Sequence, residues 1–184
     1  VYWPAFLMSA DIALPRQVFG HGFLLNRGEK MSKSVGNVVD PMDMAAAYGV
    51  DPLRYFLMRE VSFGQDGSYS HEAIVTRCNA ELANSFGNLA QRVLSMIFKN
   101  LGGEISIVEQ NADDRELLGI VRKACAEELP QAFEELSFSI GIDAWMKAVF
   151  ACNQYVDTQA PWTLRKTDPE RMKAVLMTLF IPSG

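Results

Sequence analysis

"GEKMSKSVGNVVDP", residues 28–41, sets Lys30, Ser32, Lys33 and Ser34 within five residues, between Gly28 and Gly36. Ammonium groups, and backbone N–H groups beside glycine, suit phosphate oxygens. The stretch contains neither G-x-x-x-x-G-K-[ST] nor G-x-G-x-x-G, so it is not one of the common phosphate loops. Before it, "VFGHGFLL" (residues 18–25) is short and apolar and predicts a buried strand. "NRGEK" predicts a turn. After it, Asp40-Pro41 and Asp51-Pro52 each set an N-cap residue before a proline at the first helical position. Gly49 stands where the first of these helices should stop. Two short helices, over 41–48 and 52–60, are expected. "SFGQDGSYS" then reads as a glycine-broken connection with a short strand.

Beyond Ser70 the pattern is helical. Residues 71–100 put Leu82, Phe86, Leu89, Val93 and Met96 on one stripe at spacings of three and four. "NLGG" ends that helix, and 105–112 read as a loop. A second helix is expected over about 113–136, interrupted near Pro130. A third is expected over 139–159 and a fourth after Asp168-Pro169. Four helices with short links suggest an antiparallel bundle. Trp145, within an apolar run, and Tyr2-Trp3, opening the chain inside a helical pattern, read as packing residues.

Composition narrows the class. The 184 residues are 49% hydrophobic and 21% charged, with a net charge of −5. That is enough apolar content for a real core and too little charge for a disordered chain. No apolar run reaches the roughly 18 residues of a membrane span. The acidic balance argues against diffuse nucleic-acid binding but leaves room for a local basic face. Cys78, Cys125 and Cys152 are odd in number and far apart, as expected of reduced thiols. His21 and His71 are the only histidines, which disfavours a histidine-rich metal site. The ends, without an initial Met and stopping at "LFIPSG", read as a piece of a longer protein.

"KMSKS", after a strand and before "GN", matches all five residues of the second signature of class I aminoacyl-tRNA synthetases and so resembles that family. The resemblance implies a loop, Lys30, Met31, Ser32, Lys33 and Ser34, that closes over ATP accompanied by Mg2+. Lys33 would be the catalytic lysine and Lys30 its helper. Within the class, "GNLAQR" (87–92) and "QAPW" (159–162) resemble the methionyl-tRNA synthetases of bacteria and organelles. So do "VYWPAFLMSA", "HGFLLNRGEKMSKS", "DPLRYFLMRE" and "FGQDGSYS".

By that resemblance Asn88, Arg92 and Trp162 read the anticodon of tRNA(Met), with Arg165 and Lys166 suited to phosphate. Spacing supports part of this. Asn88 and Arg92 lie one helical turn apart, off the stripe that holds Leu89 and Val93. Taken singly, Asn88 and Arg92 fit a solvated helix face and Trp162 fits a core, so the three gain weight only together.

The implied fold is mainly α: the tail end of a Rossmann-like α/β catalytic domain over 1–70, then an antiparallel helical anticodon-binding domain over 71–184, truncated at its C-terminus. The implied activity is cytoplasmic methionine–tRNA ligation, with methionine, ATP and tRNA(Met) as partners and no membrane or DNA. Other class I synthetases (leucine, valine or isoleucine type) and a stand-alone tRNA-binding module are the alternatives.

Three departures stand out. The family's first signature, His-x-Gly-His, is not among these residues, His21-Gly22 being the nearest approach. No C-x-x-C is present, so a zinc insertion is expected only upstream and no metal site here. The closing "IPSG" differs from the family's continuation of that helix.

Overall fold

The computed structural model describes residues 2–62 and 64–180. Residues 181–184, the closing "IPSG", lie outside the described residues. The chain is mainly helical with one small sheet. Helix α1 (Tyr2–Ser9) leads to strand β1 (Leu24–Asn26). Helices α2 (Pro41–Tyr48) and α3 (Val50–Glu60) follow, then strand β2 (Gly67–Tyr69). The strands pair in parallel, Leu24 with Gly67, Leu25 with Ser68 and Asn26 with Tyr69, so α2 and α3 lie in the crossover between them.

Local chemistry accounts for these ends. The Asp40 carboxylate accepts the Met42 N–H at 2.7 Å, and Gly49 ends α2 at φ +88°, a backbone that favours glycine. The second helix begins at Val50 rather than Pro52 because Gly49 serves as the cap of both helices, leaving Asp51 in the first turn. Gly22 lies against another segment of backbone: a Cβ there would stand 1.8 Å from the Gln65 carbonyl oxygen. That close approach lets the Phe23 N–H reach the Asp66 carboxylate at 2.7 Å.

Two expectations fail in this region. Of the apolar run 18–25 only Leu24 and Leu25 enter a strand, and Val18 and Phe23 are exposed. A strand needs a neighbour along its whole length, and β2 offers three residues. Tyr2 and Trp3 are 79% and 54% exposed, and no residue of α1 is buried, so they do not pack as expected.

From His71 to Leu101 the chain is continuously helical, but not one regular α-helix. Helix α4 (His71–Arg77) runs into a π-helical stretch, Cys78–Gly87, and then into α5 (Asn88–Leu101). The wider turns shift the register. Leu89, Val93 and Ile97 are buried, Met96 packs beside them, and Phe86 is left exposed against Trp145, ring centroids 5.3 Å apart. Asn153 on a later helix donates to the Ser85 carbonyl at 3.1 Å and so ties the π-helical stretch to that helix.

After Gly102 and Gly103, both at positive φ, a loop leads to α6 (Ala112–Arg122). A second π stretch, Lys123–Glu128, precedes α7 (Leu129–Glu134). The wide turns stand just before Pro130, which has no backbone N–H to give to the preceding turn. The long α8 (Phe138–Gln159), short α9 (Pro161–Thr167) and α10 (Pro169–Phe180) complete the chain. The segment now seen as α9 reads from sequence only as a link.

Two of the apolar clusters among the described residues are the largest. Met44, Leu53, Phe56 and Ile74 hold α2, α3 and α4 together. Leu89, Val93, Ile97, Val149, Val156, Met172 and Leu176 join α5, α8 and α10, with Trp145 packed beside them. The helical run after residue 70 therefore contributes to both cores.

An ionic cluster ties α3 to α8. Glu81 accepts the Tyr55 hydroxyl, Arg59 Nε at 3.2 Å and Arg77 at 3.1 Å, while Arg59 also reaches Asp143 on α8 at 2.7 Å. Burial pushes the Glu81 carboxyl up, but these donors outweigh it and hold the pKa below the usual carboxylate value.

Candidate functional site

The lysine loop leaves β1 through a tight turn. Asn26 and Glu29 exchange backbone hydrogen bonds of 2.8 and 3.0 Å around Arg27 and Gly28, both at positive φ. Two left-handed central residues make the turn that matches strand twist. Gly28 N–H donates to the Ser68 hydroxyl of β2 at 3.1 Å, fixing the turn on the sheet. Beyond it, Ser32 starts a second turn: its carbonyl accepts Val35 N–H at 3.2 Å and Gly36 N–H at 3.1 Å, with Gly36 at φ +74°. The Ser32 and Ser34 hydroxyls are 2.7 Å apart.

Lys30 and Lys33 are both exposed, and Met31 and Ser32 are half-buried. The Lys30 ammonium lies 5.0 Å over the ring of Phe23. The sequence pattern alone assigns no task to Asn37, in the "GN" after the loop. The structure gives it one: Asn37 Oδ1 accepts Ser32 N–H at 2.8 Å, and its Nδ2 donates to the Lys30 carbonyl at 3.0 Å. Asn26 Nδ2 donates to the Asn37 carbonyl at 2.7 Å. Among the described residues no group of three or more His, Cys, Asp or Glu stands together to hold a metal ion.

The second site lies on the helices. Asn88 is exposed in the first turn of α5, and Arg92 follows one turn later, away from the buried Leu89 and Val93. Trp162 sits at the start of α9, just after a sharp corner. Ala160 caps α8 with φ +45°, its N–H donating to the Val156 carbonyl at 3.0 Å, and Pro161 opens α9. The corner turns Trp162 outward, 46% exposed.

The Arg92 guanidinium lies over the Trp162 ring, 5.3 Å from its centroid, and donates to Asp157 at 2.7 Å. The fold thus joins residues 70 positions apart in sequence. Arg165 and Lys166 are exposed in the last turn of α9. Nothing in the sequence marked Asp157, because its pairing with Arg92 spans 65 residues.

The corner is anchored from behind. Asp114 is fully buried and holds Arg171 of α10 through two hydrogen bonds of 2.6 and 2.8 Å. It also accepts the Tyr155 hydroxyl of α8. Arg171 reaches on to Gln159, the last residue of α8, at 2.8 Å. Burial pushes the Asp114 carboxyl up, but Arg171, the Tyr155 hydroxyl and the Asn111 N–H outweigh it and hold the pKa below its ordinary value. Burial and the same carboxylate push the Tyr155 hydroxyl upward.

Against protein families, residues 1–94 match the model described as tRNA synthetases class I (M). The chain belongs to the class I (M) tRNA synthetases, the methionyl-tRNA synthetase family.

It is 55% identical over 176 residues to a methionine–tRNA ligase of Brucella suis biovar 1, covering 96% of this chain and 34% of the relative. Against the methionine–tRNA ligase of Mycobacterium tuberculosis it is 53% identical over 178 residues, covering 97% and 34%. Among solved structures it is similar to M. tuberculosis methionyl-tRNA synthetase in complex with methionyl-adenylate. The TM-score is 0.84 at 52% identity, covering 98% of this chain and 36% of that one. The apo form of the same enzyme gives a TM-score of 0.80 at 46% identity, covering 100% and 35%. The chain therefore spans about a third of the length of the family members it matches.

Proposed function

We propose that this chain is the part of a methionine–tRNA ligase that closes over ATP and reads the tRNA. Residues 1–70 form the end of a Rossmann-like catalytic domain, and 71–184 an antiparallel helical domain for the anticodon. The observation that carries this reading is Arg92 lying over the half-exposed Trp162 ring in the same chain as an intact KMSKS loop. A structural relative that holds methionyl-adenylate supports the substrate.

In the proposed reaction the methionine carboxylate attacks the α-phosphorus of ATP. A carboxylate oxygen–phosphorus bond forms, the bond to the bridging oxygen breaks, and pyrophosphate leaves with the electron pair. Lys33 and Lys30, both exposed on the loop, meet the negative charge that builds on the leaving phosphates. Such groups stabilise the transition state more than the ground state. Mg2+ would accompany the ATP phosphates.

On the helical part, an unstacked anticodon base would extend the column that Arg92 and Trp162 begin. Asn88 would offer a donor and an acceptor to a base edge, and Arg165 and Lys166 would meet phosphate. No helix among the described residues is long and apolar enough to cross a membrane, and the work of such an enzyme lies in the cytoplasm.

The test has two arms. The full-length enzyme that carries this chain should catalyse methionine-dependent ATP–pyrophosphate exchange. The chain alone should bind the anticodon stem-loop of tRNA(Met) in preference to one with a scrambled anticodon. Equal binding of both stem-loops would overturn the anticodon reading. Exchange driven by leucine, valine or isoleucine instead of methionine would overturn the substrate.

A further inference from the structure

The lysine loop projects from the sheet, and one uncharged side chain spans its neck. Asn37 takes the N–H of Ser32 with its carbonyl oxygen and gives its amide hydrogen to the carbonyl of Lys30. Those two residues flank Met31 on the limb that enters the Ser32–Gly36 turn, and Asn37 stands on the limb that leaves it. The backbone of Asn37 is in turn held by Asn26, the last residue of β1. A chain of hydrogen bonds therefore runs from the parallel strand, through Asn37, to the backbone on which Lys30 and Lys33 are mounted. Bridging an N–H and a C=O at this reach needs one acceptor and one donor on the same short side chain. Asparagine supplies both; aspartate supplies only acceptors and alanine neither.

The geometry points to Asn37 as a positioning residue for adenylate formation, setting the loop backbone so that the Lys33 ammonium and the loop N–H groups meet the phosphates of ATP. This rests on the synthetase reading above. Asn37 acts through the loop: both ends of its amide are taken up by Lys30 and Ser32. Its removal leaves every charge in place and loosens only their arrangement. The loss then falls on the step in which charge develops, because misplaced groups lose transition-state stabilisation while methionine, bound elsewhere, is held as before.

Asn37→Asp and Asn37→Ala in the full-length enzyme test this, with Asn26→Ala as the variant one link away. Expected is a fall of roughly tenfold or more in kcat for methionine-dependent pyrophosphate exchange, with KM for methionine within about twofold of wild type. Hydrogen exchange at the Ser32 amide should speed up most in Asn37→Ala, and less in Asn37→Asp, which keeps an acceptor. Asn26→Ala should lower kcat by a smaller factor, and the Asn26/Asn37 double variant should lose less than the product of the single losses.

Wild-type kcat in both Asn37 variants would overturn the proposal. So would a lowered kcat with unchanged Ser32 exchange, or a matching loss in methionine KM. Absence of methionine-dependent exchange in the wild-type enzyme would sink the synthetase reading itself, and that result is separable because Ser32 exchange reports on the clip without catalysis.

Discussion

Arg92 of α5 lies face-on to Trp162 of α9, its guanidinium carbon 5.3 Å from the ring centroid, while Asp157 of α8 holds the same guanidinium at 2.7 Å. Three helices thus converge on one half-exposed aromatic ring. The arrangement is more than a surface ion pair, which on its own contributes about 0–1 kcal/mol. Arg92 covers part of the indole while Trp162 as a whole stays 46% exposed, and on the proposed function that exposed ring is where an anticodon base would stack. The Asp157 contact also removes freedom from a long side chain before any ligand arrives.

Removing the ring tests this stack. Trp162→Ala should weaken binding of the tRNA(Met) anticodon stem-loop by about 1–3 kcal/mol, on the order of fivefold to a hundredfold. Trp162→Phe should recover part of that loss, since a smaller ring still offers a face. With the ring 46% exposed, the melting temperature should move little. Unchanged binding by Trp162→Ala would remove the stacking role, and a large fall in melting temperature would return the tryptophan to the core.

Lys33→Ala in the full-length enzyme should lower the rate of adenylate formation far more than methionine affinity. Deleting a group that meets developing charge typically costs about 3–4 kcal/mol in activation free energy. Single-turnover rates of adenylate formation beside equilibrium methionine binding measure the split, and equal losses in both would contradict the role. The 184-residue chain by itself lacks a His-x-Gly-His sequence and should show no methionine-dependent exchange. Exchange near the rate of a complete synthetase would refute that.

The lysine loop and the helices beside it were legible because their signals are local. Asp40-Pro41 and Gly49 cap helices through bonds to neighbours a few residues away. What stayed hidden depends on distance or on departures from ideal periodicity. The stripe Leu82, Phe86, Leu89 assumes 3.6 residues per turn, and the π stretch at 78–87 breaks that count, turning Phe86 outward. The run 18–25 advertises apolarity, yet pairing partners exist only for its last residues. Trp162 could be placed at a helix end, but its exposure depends on the left-handed Ala160, which sequence does not announce. Asp157 and Asp114 meet their arginines 65 and 57 residues away, beyond any local pattern.

Gly141 in the first turn of α8 should not accept a side chain. A Cβ there would lie 2.8 and 2.9 Å from ring carbons of Phe133. That ring is itself held edge-on by Phe138, centroids 5.1 Å apart. Gly141→Ala gains up to about 1 kcal/mol in helix propensity. Overpacking costs about 1–3 kcal/mol, so the clash should win and the melting temperature should fall. A raised melting temperature would show that Phe133 can move aside.

The Asp114 cluster should give up its contribution only as pH falls below the ordinary carboxylate range. In the folded chain Asp114 releases its proton more readily than an ordinary carboxyl, because Arg171, Tyr155 and the Asn111 N–H favour the charged form more than burial opposes it. In the unfolded chain it reverts to the ordinary value of about 3.9. Between the two, the unfolded state binds more protons, so stability falls with falling pH. The contribution is complete above the unfolded pKa and drains away as pH drops through the depressed folded value. Asp114→Asn keeps the volume and removes the charge, leaving the Arg171 guanidinium half-buried without its carboxylate. Removing one partner of such a pair costs about 3–5 kcal/mol near neutral pH. Urea melts of the wild type and of the Asp114→Asn variant, from neutral pH down to about pH 3, should therefore show the gap between them narrowing at the acid end. The gap should be widest above the unfolded pKa and shrink below it. A gap that stays constant across that range would show that the carboxylate's charge contributes nothing and that only its shape matters.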